Sequence, residues 1–428
     1  MAKLRIKGGT PLNGEIWVSG NKNAALPIIA STLLTDDLCR IEHVPEIRDV
    51  HALLDLIEDL GKTVKYIKEN VYEISGMVVK SEIDHKYASK LRASILCLSG
   101  LLARTGEVFL PPPGGCVIGR RNLDSHFDVA EAFGAIVKGE EKGFRSTVNK
   151  TTPADIFLKE ASVTATENAL ILAAATEGET VINNAASEPH VGDLVIVLQK
   201  MGASISGLGT NRLKIKGVKK LKGFNHRIIP DHIETGTFAI AAACTQGELT
   251  IHNAQKEHMV MTDYFLKQMG VVFKYEDEEN MIIKPSRLTA KIKKIQVGLW
   301  PGFPTDLMSP MIVLATQAQG STLCHDWMYE SRMFFVDKLI LMGAEIIQCD
   351  PHRVVVNGPT RLKGQELASP DIRAGIALII AALSAYGESI IDKVEIVDRG
   401  YEKIVERLVK VGASVERIEQ KNDVQHID

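Results

Sequence analysis

Cys116 stands in Gly114-Gly115-Cys116-Val-Ile-Gly-Arg120-Arg121, between a glycine pair and an arginine pair. On an exposed loop beside cationic side chains, a thiol has a lowered pKa and nucleophilic or acid character. An inert loop cysteine has the same neighbours in sequence. Lys22 in Lys22-Asn23-Ala-Ala-Leu-Pro, Arg92 in Leu91-Arg-Ala-Ser and Arg373 in Asp371-Ile-Arg-Ala each stand near the start of an apolar segment. Arg332 and Arg399 each lie 12 residues after a glycine, Gly320 and Gly387. Basic groups at helix N-termini oppose the macrodipole, which suggests an anion that offsets them. One such residue reads as a solvated surface charge; a set at equivalent places reads as an anion cleft. Asp306, in Phe303-Pro-Thr-Asp306, opens another apolar segment, where a carboxylate is either a first-turn cap or a base. Glu188, Asp231 and Glu234 share that ambiguity. Cys97 and Cys244 lie inside apolar runs and read as packing residues.

These residues need a scaffold, and the chain repeats one. A glycine follows an amphipathic helical pattern and precedes a short strand-like run at Gly61, Gly134, Gly202, Gly270, Gly343 and Gly412, about every 70 residues. That period exceeds those of common solenoids and points to a pseudo-symmetric globular fold. A second landmark ends an Ala/Leu/Ile-rich segment at Gly106, Gly178, Gly247, Gly320 and Gly387, with Asp37 in its place in the first unit. The run Asn168 to Ala175 predicts a buried helix, the glycine its C-terminal cap, and Glu179-Thr-Val-Ile-Asn-Asn the strand that follows. Ala203 to Lys216 predicts a closing hairpin. Six such units divide into two domains of three. The landmarks stand 23 to 25 residues apart in five units but 28 apart in the second, Gly106 to Gly134. The excess falls between Leu110 and Arg121, the loop of Cys116, and a loop added to a rigid scaffold usually carries function.

Composition narrows the class. A chain of 428 residues exceeds what one core holds, about 250 to 300. With 45% hydrophobic and 24% charged residues it is neither disordered nor a membrane protein. The net charge of −3, with both signs interleaved, leaves no basic stripe for nucleic acid. The start, Met1-Ala-Lys-Leu-Arg-Ile-Lys-Gly, offers no signal peptide. The longest apolar run, Ala374 to Tyr386, falls short of the roughly 20 residues a bilayer needs and reads as a buried helix. A cytoplasmic protein is expected. Six cysteines without C-x-x-C spacing read as reduced thiols rather than zinc or redox centres. Dinucleotide, P-loop, zincin and hydrolase-elbow motifs are lacking, which argues against those chemistries; no cofactor is expected. Small molecules are the expected partners, and no obligate protein partner is evident.

Taken in order, Ser19-Gly-Asn-Lys22-Asn23-Ala-Ala-Leu-Pro, Pro113-Gly-Gly-Cys116-Val-Ile-Gly, Asp231-His-Ile-Glu-Thr-Gly-Thr, Phe303-Pro-Thr-Asp306, Asp371-Ile-Arg373-Ala and Asp398-Arg399-Gly-Tyr-Glu resemble the UDP-N-acetylglucosamine 1-carboxyvinyltransferase family of enolpyruvyl transferases. The resemblance covers essentially the whole chain. It implies two inside-out α/β barrel-like domains, each of three repeated βαβαββ-type units, with the active site in the interdomain cleft. It places the chain crossings near Asn21 and Pro230, so that 22–229 form one domain and 1–21 with 230–428 the other. The implied reaction transfers the carboxyvinyl group of phosphoenolpyruvate to the 3-hydroxyl of UDP-N-acetylglucosamine and releases phosphate without a metal. This is the first committed step of peptidoglycan synthesis.

By position, the resemblance gives phosphoenolpyruvate to Lys22, Asn23, Arg92, Arg332, Arg373 and Arg399, with Lys22 and Arg399 also catalytic. Cys116 resembles a loop thiol that acts as general acid toward C3 and can form an adduct at C2. Asp306 resembles the group that takes the proton of the attacking hydroxyl. The UDP-sugar falls to Arg92, Arg121, Asn122, Leu123, Asp124, Ser125, Ser162, Val163, Asp306 and Met328. Departures cluster on the nucleotide side. Arg121-Asn-Leu-Asp-Ser-His126 replaces the usual Arg-Pro-Val-Asp-Leu-His, Thr164 stands in place of Gly, and His232 where Arg is common. They keep open a paralogue with another nucleotide-sugar acceptor. The 5-enolpyruvylshikimate-3-phosphate synthases share the fold and chemistry, but typically have Lys-Ser at Lys22-Asn23 and lack the cysteine loop. A catalytically silent binding protein needs none of Lys22, Cys116, Asp306 and Arg399.

Overall fold

The alanine- and isoleucine-rich segments fold as helices surrounded on every side. In a computed structural model, which describes residues 2–114 and 122–419, the helices Lys22–Ser31, Cys97–Thr105 and Val163–Ala174 pack on one another. The helices His232–Cys244, Met308–Gln317 and Ile372–Ser384 form a second trio. All 13 residues of His232–Cys244 are buried, which a helix without a polar face requires. Each trio centres one hydrophobic core. One core runs from Ala24 to Ile228; the other joins Leu4–Val18 to Ile233–Ala413. Side chains of Asn21, Ser162, Asp231 and Asp371 accept backbone N–H bonds at the helix starts, satisfying donors that no turn can reach.

Small mixed sheets wrap each trio. In a typical unit a short strand, Asp155–Phe157, lies parallel to Gly178–Asn183, which pairs antiparallel with Arg212–Gly217, and that with Ser204–Ser206. The buried helix joins the first two strands, and an amphipathic outer helix, Pro189–Met201, precedes the hairpin. Among the described residues, five sheets have four strands and one has three. In that one, beside the loop of Cys116, the fourth place is held only by a bridge between Glu82 and Phe109. Pairing also closes each half on itself. Asn225–Arg227 lies parallel to Cys39–Glu42, and Gly14–Trp17 parallel to Leu249–His252. Ala2–Lys7 lies between Glu388–Asp392 and Ser414–Glu419. No helix of the described residues is long and apolar enough to cross a membrane.

All six glycines of the first landmark have positive φ, from 83° to 118°, the conformation that ends an outer helix and turns into the hairpin. The second landmark is less uniform than expected. Gly106 caps its helix in the left-handed region, but Gly178 opens a strand while Ala175 caps the helix before it. In the fourth unit Gln246, with φ of 55°, takes the turn. Gly247 there serves close approach, since a Cβ would lie 1.9 Å from the Leu12 carbonyl oxygen.

The chain passes between the cores at two adjacent points, where Gly20 bridges Pro230. A Cβ on Gly20 would sit 1.7 Å from the His43 carbonyl oxygen. Gly20→Ala is therefore expected to destabilise the fold by about 2 to 3 kcal/mol through overpacking. Urea unfolding would show this as a lowered midpoint at unchanged slope; an unmoved midpoint would contradict it.

Candidate active site

Between the two cores lies a cleft into which both helix trios point their N-terminal ends. From one side come Lys22 and Asn23, at the start of Lys22–Ser31, and Arg92, which opens the short 3-10 turn Arg92–Leu96. From the other come Asp306 in the turn Thr305–Leu307, Arg332, Arg373 in Ile372–Ser384 and Arg399 at the end of Val394–Arg399. Val163 and Met328 line the same cavity. The five cations expected at repeat-equivalent places thus line one cavity. Asp371 and Asn21 already cap the helices that carry Arg373 and Lys22, so the dipole ends are satisfied. Internal carboxylates meet four of the charges, those of Lys22, Arg332, Arg373 and Arg399.

Two aspartates each bridge two cations. Asp306 Oδ2 lies 2.7 Å from Arg373 Nη2, and its Oδ1 3.2 Å from Arg332 Nη2. Asp49 Oδ2 lies 2.7 Å from Lys22 Nζ, and its Oδ1 2.8 Å from Arg399 Nε. Burial pushes both carboxyls up, yet the paired cations outweigh it and hold each below the ordinary range. Arg373 also donates to the Tyr401 hydroxyl at 3.2 Å, and Arg332 lies 3.8 Å from Asp371. Arg92 Nη2 donates to the Asn122 carbonyl at 3.0 Å.

Other titratable groups share the cavity. Glu167, Glu188, His190, His232 and Trp300 line it. Burial raises Glu167 well above the carboxylate range, helped by Glu188, and raises Glu188 too. Burial lowers His190 to about 4 and, with His190 and His258 beside it, lowers His232 well below its ordinary value. Both ring nitrogens of His190 and one oxygen each of Glu167 and Glu188 lack hydrogen-bond partners. One cavity thus holds a set of cations together with acids and imidazoles whose charged forms burial disfavours. Among the described residues, no group of three or more His, Cys, Asp or Glu is arranged to hold a metal.

Not every expected residue meets in the cleft. Cys116 and Arg121 lie outside the described residues. Leu123 precedes the helix Asp124–Ala132, Ser125 donates to Glu160 at 3.2 Å, and Ser162 caps Val163–Ala174. These three and Asp124 flank the cavity without lining it. Sequence reasoning passed over Asp49, Glu167, His190 and Trp300. One signal could have found several of them: Asp49, Asn122, His190 and His258 each stand 12 residues before a landmark glycine, at Gly61, Gly134, Gly202 and Gly270.

The two substituted nucleotide-side segments touch through His126. Asn168 Nδ2 donates to its Nδ1 at 2.9 Å, and its Nε2 lies 3.2 Å from Thr164 Oγ1. Burial, with Arg92 nearby, lowers its pKa from 6.5 to about 3. Between those values the unfolded chain binds the proton and the folded one does not, so stability is lost as pH falls. The advantage of wild type over His126→Gln in unfolding free energy is expected to shrink by about 1.4 kcal/mol per pH unit below pH 6.5. Denaturant titrations at neutral and mildly acidic pH measure it; a pH-independent difference would refute it.

A family profile described as EPSP synthase (3-phosphoshikimate 1-carboxyvinyltransferase) matches residues 6–408. A UDP-N-acetylglucosamine 1-carboxyvinyltransferase of Treponema denticola is 49% identical over 424 residues, covering 97% of this chain and 99% of its own. Another, of Bradyrhizobium diazoefficiens, is 46% identical over 426 residues, covering 97% and 98%. The crystal structure of the enolpyruvyl transferase NikO from Streptomyces tendae matches with a TM-score of 0.88 at 23% identity, covering 98% of this chain and 99% of its own. An EPSP synthase from Acinetobacter baumannii matches with 0.77 at 19% identity, covering 98% and 100%. Those two likenesses speak for the fold. With the profile spanning both cores and near-half identity along nearly the full length of its relatives, the chain belongs to the EPSP synthase family of carboxyvinyltransferases, among the UDP-N-acetylglucosamine 1-carboxyvinyltransferases.

Proposed function

We propose that this protein transfers the enolpyruvyl group of phosphoenolpyruvate to the 3-hydroxyl of UDP-N-acetylglucosamine, releasing phosphate, in the cytoplasmic opening step of peptidoglycan synthesis. The observation that carries the reading is the cleft in which five cations, Lys22, Arg92, Arg332, Arg373 and Arg399, line one cavity with Glu167, Glu188, His190 and His232, whose charged forms burial disfavours. Phosphate and carboxylate of the donor suit the cations, and an uncharged sugar the rest of the cavity. Residues 22–229 and 1–21 with 230–428 act as two domains that close over both substrates and exclude water.

The acceptor oxygen attacks C2 of phosphoenolpyruvate while its proton passes to Asp306, and Cys116 delivers a proton to C3. The resulting tetrahedral ketal then returns a C3 proton to the Cys116 thiolate, the C2–O bond to phosphate breaks as the double bond re-forms, and the phosphate leaves with the proton held by Asp306. Asp306 is too acidic as a base while Arg332 and Arg373 serve it alone. Sharing those arginines with the donor's anionic groups raises its basicity at the moment of need. The departures at Asn122 and Thr164 leave a second reading, a related nucleotide sugar as acceptor.

Phosphate release from phosphoenolpyruvate, for wild type and Cys116→Ala, tests both, with UDP-N-acetylglucosamine, other UDP-sugars and shikimate 3-phosphate as acceptors. Release with UDP-N-acetylglucosamine supports the first reading, and its loss in the variant the thiol's role. Release only with another UDP-sugar supports the second, and none with any UDP-sugar refutes both.

A further inference from the structure

Asp49 has no part in that scheme, yet it touches two of the cations that serve the donor. It sits in the first turn of the helix Arg48–Asp59, where the dipole favours a carboxylate. Its side chain is 7% exposed. Lys22 Nζ lies 2.7 Å from one oxygen; Arg399 reaches the other through Nε at 2.8 Å and the first through Nη2 at 3.4 Å. Lys22 and Asp49 belong with the core of Ala24–Ile228, whereas Arg399 comes from the segment Val394–Arg399 of the other. One carboxylate therefore ties cations from both sides of the cleft.

For Lys22 and Arg399 to grip one anion, two like charges must stand close together where little water screens them. We propose that Asp49 is a positioning residue for the phosphoenolpyruvate anion: it holds Lys22 and Arg399 side by side, so that both aim N–H donors at the same ligand. The inference rests on the proposed reaction for the identity of that ligand. Its contrast with Asp306 is in exposure. Asp306 also bridges two cations, but its side chain is 27% exposed and faces the cavity, where an acceptor hydroxyl can meet it. Asp49 lines the same cavity but is nearly covered, with Lys22 and Arg399 on its two oxygens. An ammonium has three donors, so Lys22 can bond Asp49 and still serve a ligand.

Asp49→Asn removes the charge at constant shape. The KM for phosphoenolpyruvate should rise about tenfold or more, the inhibition constant of inorganic phosphate should rise with it, and kcat should fall less. The KM for UDP-N-acetylglucosamine should stay within about twofold, which a general loss of structure would not allow. Wild-type turnover decides the reaction, and equilibrium binding of inorganic phosphate to wild type and variant decides this inference even without turnover. Unchanged phosphate binding by a folded variant would overturn it. Tighter binding would overturn it too, by making Asp49 the anion's competitor. If the Asn variant does not fold, Asp49→Glu displaces both cations by one methylene, and the same split between the two KM values decides.

Discussion

Asp306→Asn is expected to lower kcat about a thousandfold while leaving the KM for phosphoenolpyruvate unchanged or reduced. The amide keeps the shape but cannot take the hydroxyl proton. It also stops competing for Arg332 and Arg373, which lie 3.2 and 2.7 Å away and become available to the donor's anionic groups. A thousandfold loss corresponds to about 4 kcal/mol of transition-state stabilisation. Steady-state kinetics with phosphate release measure it, and a kcat within tenfold of wild type would remove Asp306 from the base's role. The direction of the KM is as informative, because a carboxylate that served only as structure would raise it.

Arg373→Ala is expected to harm both stability and turnover. The guanidinium is buried, bonds Asp306 and Tyr401, and is the nearer of the two cations that keep Asp306 ionised. Breaking a buried pair from one side costs about 3 to 5 kcal/mol, and since Arg332 remains and Asp306 faces the cavity, about 2 to 3 kcal/mol is expected. Turnover should fall at least a hundredfold with loss of an anion contact. The stability difference carries its own sign test. A depressed carboxyl contributes stability that is present above its unfolded pKa of 3.8 and lost as pH falls through the folded value. The gap between wild type and variant should therefore narrow below about pH 4. Arg373→Lys should recover part of the stability but less of the activity, since an ammonium cannot fork between Asp306, Tyr401 and a ligand.

The scaffold was legible because its punctuation is chemical. The turn after each outer helix demands positive φ, and glycine at Gly61, Gly134, Gly202, Gly270, Gly343 and Gly412 records that demand. The buried helices were legible because a segment such as Ile372–Ser384, without a charge after Arg373, has no face to give to water. Three-residue strands such as Asp155–Phe157 are too short to show alternation. The cations were visible through their recurrence, but their partners were not. Asp49 meets Arg399 across 350 positions, and an aspartate in a first helical turn looks locally like any other. His190 and His258 were hidden likewise, although they share the register of Asp49.

The strand pairing at the chain's ends orders events during synthesis. The sheets around the first helix trio use residues up to Arg227, so that half has all its strands once this point leaves the ribosome. The second half cannot be completed then. Its sheets need Gly14–Trp17 against Leu249–His252, and Ala2–Lys7 against Glu388–Asp392 and Ser414–Glu419. The earliest-made strands must therefore wait, with open hydrogen-bonding edges, for the last-made ones. Such edges invite pairing with other chains. The cleft draws on both halves, so its lining from Lys22 to Arg399 comes together only when the second half has closed on the first.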